Sequence, residues 1–206
     1  MSTPADGVLG GIAHIAALGA SMHFIILPLA RPKNATYDKT DDEETIKLPF
    51  RPPLVVMASW GAAFVARELA KVFAPTFSFS RLLEVRSTSI YAAGLALWTS
   101  SMALAVYTVR TMNAEKTPVP HGAGVAQKIV THGPFRYFRH PIYIGFIGSS
   151  LSTAFIFDSI LSLVGVCMSG GYIVGHVMPV EEAWMQRKFG KEWTDYCDKV
   201  KRFILF

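Results

Sequence analysis

Five long apolar stretches, separated by polar connections, constrain this chain more than any other feature of its sequence. They cover residues 8–30, 54–74, 87–112, 142–157 and 159–180. A helix needs about 20 apolar residues to cross the hydrocarbon core of a bilayer. Charged residues make up 17% of the chain, whereas ordinary soluble domains carry roughly 25%. The pattern therefore predicts an all-α fold: an integral membrane helical bundle with about five transmembrane segments.

The last two apolar stretches are separated by one charged residue, Asp158. The fourth stretch is short for a full crossing, so we expect the pair to form a tight C-terminal helical hairpin. The whole chain, residues 1–206, then forms a single membrane domain. Residues 1–112 supply the first three segments, and residues 113–206 supply a polar connection, the hairpin and a tail.

The tail, residues 181–206, interleaves aromatic and basic side chains. Gly190 predicts the end of one short helix and the start of the next. The mixture is typical of an amphipathic segment on a membrane surface, with Trp193 and Tyr196 among the aromatic residues of a membrane belt. The connection at 113–139 and the tail are both basic, which predicts a cytosolic position for both. The net charge of +5 is therefore attributed to contact with membrane lipids, and neither a nucleic-acid nor a protein partner is predicted.

Two polar blocks flank the predicted hairpin and carry the residue types best suited to chemistry. Arg139 and His140 lie just before it, and the carboxylates of Glu181 and Glu182 lie just after it. Because a hairpin brings its two ends together, these groups should meet at the cytosolic surface. Charges beside a membrane bundle are costly unless they are paired or used. We therefore predict a small-molecule pocket at the water boundary, with no metal site.

Together the two blocks resemble the isoprenylcysteine carboxyl methyltransferase family, which is related to the phospholipid N-methyltransferases. The family pattern is Arg-His-Pro-x-Tyr-x-Gly, a hairpin, then Glu-Glu and an aromatic tail motif. Here it reads Arg139-His140-Pro141-Ile142-Tyr143-Ile144-Gly145, then Glu181-Glu182, Phe189-Gly190, Trp193 and Tyr196. The resemblance covers residues 127–206. It implies a multi-pass membrane enzyme, in the endoplasmic reticulum if the source is eukaryotic, with an active site facing the cytosol.

The resemblance also implies S-adenosylmethionine as the cofactor. The cofactor-binding positions that it implies are Gln127, Lys128, Ile129, Val130, Phe135, His140, Pro141, Ile142, Tyr143 and Glu181. The family usually has Tyr at the position of Phe135, and it commonly has a substrate-binding Arg at the position of Val177. His176 and Val177 are therefore the implied substrate-binding positions. Arg139 and Glu182, one from each block, are the candidate catalytic residues.

Methyl transfer to a lipid-like substrate suits these residue types. S-adenosylmethionine carries an activated methyl group, so the main task of the protein is to orient the reactants. We favour SN2 transfer to the C-terminal carboxylate of a prenylated cysteine, because a carboxylate with a pKa of about 4 needs no general base at neutral pH. The near alternative is phospholipid N-methylation, in which the amine must lose a proton and Glu182 or His176 could act as the base.

Two interpretations from other classes stay open. The stretch from Lys188 to Cys197 also matches the tail of sterol-type membrane reductases. Such a reductase is expected to be much longer and to bind a nicotinamide cofactor. A noncatalytic membrane protein that keeps the fold is supported only by Val177. Binding of S-adenosylmethionine, as opposed to NADPH, discriminates among these interpretations.

Overall fold

The computed structural model describes residues 87–115 and 128–203, together with isolated positions at 61, 62, 65, 69, 78 and 82–85. The predicted segment at 8–30 lies outside the described residues, and so does most of the one at 54–74. Within the two continuous ranges the regular structure is entirely helical, which confirms the all-α prediction for this part of the chain.

The helices of the described ranges follow one another with short connections. They are α1 (Ser87–Ala114), α2 (Pro141–Ile156), α3 (Leu163–Tyr172), α4 (Met178–Phe189) and α5 (Lys191–Lys199). Single 3₁₀ turns lie at Gly133–Arg136 and Ile160–Ser162. Two stretches, Ser87–Ala114 and Leu163–Phe189, are long and apolar enough to cross a membrane, and the apolar helix Pro141–Ile156 is shorter. Length and composition thus agree weakly with a membrane protein, while the five-segment count and the hairpin remain predictions.

Helices α1 and α2 pack closely because small residues line their contact. A β-carbon on Gly145 would lie 2.9 Å from the backbone oxygen of Ser101. A β-carbon on Gly94 would lie 2.8 Å from the backbone nitrogen of Ile156. Small residues at helix contacts allow backbones to approach in this way. The pairing of the start of α1 with the end of α2 makes the two helices antiparallel.

A single apolar cluster joins α1, α2 and the helical stretch from α3 to α4. Its buried members are Met102, Val109, Ile142, Tyr143, Phe146, Ile156, Phe157, Ile173, Val177 and Met178. Tyr143 and Val177 are fully buried within it. The cluster therefore fixes the start of α2 against the junction between α3 and α4.

A π-helical stretch, Ile173–Val177, connects α3 to α4. The backbone N–H of Met178 donates to the carbonyl of Ile173, five residues earlier. Pro179 follows immediately; it has no N–H to donate, and its ring crowds the carbonyl four residues earlier, that of Gly175. The wider turn accommodates the proline without ending the helix. The helix therefore continues into α4 and carries Glu181 and Glu182, which are two and three residues after the proline.

Helix α5 packs one face against the protein. Gly190 has a φ of 53° and separates α4 from α5, as predicted. Trp193 is 5% exposed and Tyr196 is 7% exposed, and both belong with Ile129 and Val200 to a second apolar cluster. The prediction that these two aromatic side chains belong to a membrane belt is therefore wrong. An amphipathic pattern looks the same whether its apolar face covers lipid or protein, which explains the error.

Candidate functional site

His140 is the residue around which the candidate site is built. It immediately precedes α2, whose first residue is Pro141, a favoured helix-starting residue. Its side chain is 4% exposed. The Nε2 atom lies 2.9 Å from Oε1 of Glu182, and the Nδ1 atom lies 3.7 Å from Oε2 of Glu181. One imidazole thus lies between the two carboxylates, which confirms the predicted meeting of the two polar blocks.

The carboxylate of Glu181 is held by Tyr143. The buried Tyr143 hydroxyl donates to Oε2 of Glu181 at 2.8 Å. The Tyr143 ring stacks on His140, with ring centroids 5.5 Å apart. Among the residues that the structure describes, no lysine or arginine forms an ion pair with Glu181. Glu181 is therefore a largely buried carboxylate whose nearby protein partners are a phenol and an imidazole.

Glu182 has a very different environment. The Arg202 guanidinium donates from Nε to Oε1 at 3.0 Å, and its Nη2 pairs with Oε2. Nη1 of Arg139 lies 3.6 Å from Oε1. Such two-point guanidinium contacts are among the stronger and more geometrically specific hydrogen bonds in proteins. They raise the pKa of Arg202 above its ordinary value and leave Glu182 as the charge-compensated member of the pair.

Helix α5 and the residues that follow it close one side of the site. The backbone N–H of Arg139 donates to the carbonyl of Lys201 at 3.0 Å. Nη1 of Arg139 donates to Sγ of Cys197 at 2.9 Å. The Tyr196 hydroxyl donates to the carbonyl of Phe135 at 2.7 Å, and burial raises its pKa. The tail therefore holds the segment before α2 in position.

The loop residues that the sequence assigned to cofactor binding fall into separate groups. Lys128 is exposed and pairs with Glu115 at the end of α1, which His132 also contacts at 3.2 Å. Ile129 and Val130 are buried, and Ile129 packs in the second apolar cluster. Gln127 lies outside the described residues. No contact of these side chains with His140 or Glu181 is seen in the described ranges, so their assignment to the cofactor stays a prediction.

The other predicted site residues take different places. Pro141 and Ile142 are buried at the start of α2, beside His140. Phe135 contributes its carbonyl, which accepts from Tyr196. His176 is exposed and its ring faces Tyr172, whereas Val177 is buried in the main apolar cluster. His176 and Val177 therefore lie outside the polar group of His140, Tyr143 and the two carboxylates, and their substrate-binding role stays a prediction.

Two contributors to the site were not singled out from the sequence. Arg202 forms the guanidinium contact with Glu182, and Cys197 accepts from Arg139. Arg202 is one of several basic residues in the tail and follows no motif that distinguishes it. The only available signal was the excess of basic residues close behind a carboxylate pair.

Comparisons with known proteins match the part of the chain that holds this site. The phospholipid methyltransferase family model matches residues 89–192. A probable protein-S-isoprenylcysteine O-methyltransferase of Oryza sativa subsp. japonica is 33% identical over 79 residues, covering 38% of this chain and 41% of the relative. The protein-S-isoprenylcysteine O-methyltransferase of Tribolium castaneum is 21% identical over 216 residues, covering 100% of this chain and 68% of the relative.

A further relative has a similar, partial match. The protein-S-isoprenylcysteine O-methyltransferase A of Arabidopsis thaliana is 30% identical over 78 residues, covering 38% of this chain and 40% of the relative. The matches to the plant proteins thus span less than half of the length of each relative. No solved structure matches the chain.

Proposed function

Because the chain belongs to the phospholipid methyltransferase family, we propose that it is an S-adenosylmethionine-dependent methyltransferase that acts on a lipid-like substrate. The observation that carries this proposal is the environment of Glu181. Its carboxylate is held by Tyr143 at 2.8 Å, and within the described part of the chain it has no lysine or arginine partner. A largely buried carboxylate in this state favours a cationic ligand.

The residues around Glu181 fit the chemistry of S-adenosylmethionine. When bound, this cofactor supplies an activated methyl group on a positively charged sulfur. A carboxylate in a partly desolvated site attracts a cation more strongly than one in bulk water does. His140 and Tyr143 add polar atoms that can hydrogen-bond the amino-acid or ribose groups. Glu181, His140 and Tyr143 would hold the cofactor, with Pro141 and Ile142 forming the adjacent apolar wall.

We infer that the acceptor is a carboxylate, and specifically that of a prenylated cysteine. Nε of Arg139 is buried and has no hydrogen-bond partner among the described residues. An acceptor carboxylate could receive a hydrogen bond from this atom, which would orient it as a nucleophile. Since a carboxylate is already ionised at neutral pH, this acceptor needs no general base. The names of the relatives in rice, Tribolium and Arabidopsis support the same acceptor.

The lipid part of such a substrate would lie against apolar helix surface. Exposed apolar side chains occur along α3, the π stretch and the start of α4, at Val164, Met168, Val174 and Val180. Val180 immediately precedes Glu181. A prenyl or acyl chain approaching through the bilayer would therefore reach the polar site along this surface. We place the protein in a membrane, that of the endoplasmic reticulum in a eukaryotic cell, with the site facing the cytosol.

Phospholipid N-methylation is the second candidate, favoured by the family model itself. An amine acceptor must lose a proton before or during transfer. Glu182 is a poor base for this, since Arg202 and Arg139 both stabilise its ionised form. His176 faces Tyr172 away from the carboxylates. Glu181, which lacks a guanidinium partner in the described ranges, is the better base. N-methylation would therefore require Glu181 both to bind the cofactor and to accept the proton of the amine.

A methyl-transfer assay tests the proposal. Purified protein in detergent is supplied with S-adenosylmethionine labelled in its methyl group and with farnesylcysteine, phosphatidylethanolamine and a plain fatty acid in parallel. We expect a base-labile methyl ester on farnesylcysteine. A base-stable label on phosphatidylethanolamine would instead establish the second candidate. Binding of NADPH without any methyl transfer would overturn both candidates and favour a reductase.

A further inference from the structure

Arg202 lies beyond the end of α5 and outside both polar blocks, yet it makes the two-point contact with Glu182. We propose that Arg202 is a positioning residue that neutralises Glu182 and thereby leaves Arg139 available to the methyl acceptor. This inference rests on the proposed function. It assigns a role in acceptor binding to a residue that does not itself touch the acceptor.

Two guanidinium groups, those of Arg202 and Arg139, compete for the carboxylate of Glu182. Arg202 donates to Oε1 of Glu182 at 3.0 Å and pairs with Oε2 through a second nitrogen. Nη1 of Arg139 remains 3.6 Å from the same Oε1, which is an ion-pair distance and not a hydrogen bond. Arg202 therefore takes the favourable two-point geometry and keeps Arg139 in the outer position.

In that outer position Arg139 contacts Cys197 instead of forming a hydrogen bond with Glu182. Its Nη1 donates to Sγ of Cys197 at 2.9 Å, and its Nε is buried without a partner among the described residues. A buried N–H without a partner costs free energy that a ligand can recover by accepting from it. If Arg202 were absent, Arg139 would close the gap to Glu182 and compensate its charge. The guanidinium would then turn toward Glu182, and its Nε would no longer be placed to donate to an acceptor carboxylate.

We expect the tail to stay in place without the Arg202 side chain. The carbonyl of Lys201 accepts from the backbone of Arg139, and Phe203 packs against the main apolar cluster. Both contacts are independent of the Arg202 guanidinium. Loss of the Arg202 guanidinium should therefore change acceptor binding more than it changes the stability of the fold.

Loss of the Arg202 side chain should affect the KM for the methyl acceptor and leave the KM for S-adenosylmethionine nearly unchanged. In Arg202→Ala the KM for farnesylcysteine should rise about fivefold or more, while the KM for S-adenosylmethionine stays within about twofold. Millimolar guanidinium ion should restore part of the loss by occupying the vacated place on Glu182. Arg202→Lys keeps the charge but cannot form the two-point contact with Glu182. Its KM for farnesylcysteine should therefore lie between those of the wild type and Arg202→Ala, and guanidinium ion should not change it.

Lys201→Ala is the matched control, because Lys201 is the exposed neighbour and carries the same charge. It should keep both KM values of the wild type. If Arg202→Ala does not fold, Arg202→Lys decides alone by the rise in its acceptor KM. An unchanged acceptor KM in the folded variants, or equal rises in both KM values, would overturn the role of Arg202. Absence of transfer by the wild-type protein would instead count against the proposed function.

Discussion

The Nε2 atom of His140 lies 2.9 Å from Oε1 of Glu182, although the two residues are 42 positions apart in the chain. This hydrogen bond joins the start of α2 to α4 and sets His140 beside both carboxylates. The fully buried Tyr143 stacks on His140, and Arg202 donates to Glu182. Substitutions at these residues should therefore affect different properties. Loss of the Glu182 charge should lower the stability of the fold, whereas loss of the Tyr143 hydroxyl should weaken cofactor binding.

Glu182→Gln should destabilise the fold more than it changes the shape of the site. It removes the charge that compensates two guanidinium groups and that holds His140. Removing one partner of a largely buried ion pair costs about 3 kcal/mol or more. The measurement is the unfolding midpoint in mixed detergent micelles. Glu192→Gln, at an exposed position of α5, is the control and should match the wild type, and a wild-type midpoint for Glu182→Gln would contradict the structural role of Glu182.

Tyr143→Phe should weaken cofactor binding while the protein remains folded. The substitution removes only the hydroxyl that donates to Glu181 at 2.8 Å, and the ring still packs in the core. Hydrogen bonds to charged groups contribute about 1.5–3 kcal/mol, so the dissociation constant of S-adenosylmethionine should rise by roughly ten- to a hundredfold. Calorimetric titration measures it. Tyr137→Phe, at an exposed ring, is the control and should leave the affinity unchanged. An unchanged affinity in Tyr143→Phe as well would contradict the role of Glu181 in cofactor binding.

Gly145→Ala should loosen the contact between α1 and α2. The new β-carbon would lie 2.9 Å from the backbone oxygen of Ser101 and 3.1 Å from the β-carbon of Ala105. Overpacking of this kind costs roughly 1–3 kcal/mol, because backbone atoms cannot move aside cheaply. Gly171→Ala is the matched control on α3, where a β-carbon would have no neighbour within 4 Å. It should be neutral or slightly stabilising; equal thermal stability of the two variants would argue against the observed helix contact.

The long helices of the described ranges could be predicted from the sequence because each coincides with a long apolar stretch. The segment predicted at 87–112 is the helix Ser87–Ala114, and the one predicted at 142–157 is Pro141–Ile156. The segment predicted at 159–180 begins in a 3₁₀ turn and continues as α3. Its π stretch was not predicted, since the local effect of Pro179 on a helix depends on how the following turns are packed.

The candidate site was predictable in part. The proximity of His140 to Glu181 and Glu182 followed from two motif blocks at the ends of one apolar region. Arg202 could not be distinguished from its basic neighbours Lys199 and Lys201, because each has a long, flexible cationic side chain that could reach the carboxylate pair. The burial of Trp193 was also missed, since the amphipathic pattern of α5 does not state whether lipid or protein covers it.

The most direct test of the account is the binding of radiolabelled S-adenosylmethionine to wild-type protein and to Glu181→Gln, which keeps the shape of the side chain but removes its charge. We predict saturable binding to the wild type that excess NADPH does not displace. Binding should be lost in Glu181→Gln and retained in Glu192→Gln, while all three proteins keep the same helical circular dichroism. Undiminished binding to Glu181→Gln would contradict the claim that this carboxylate receives the cationic cofactor.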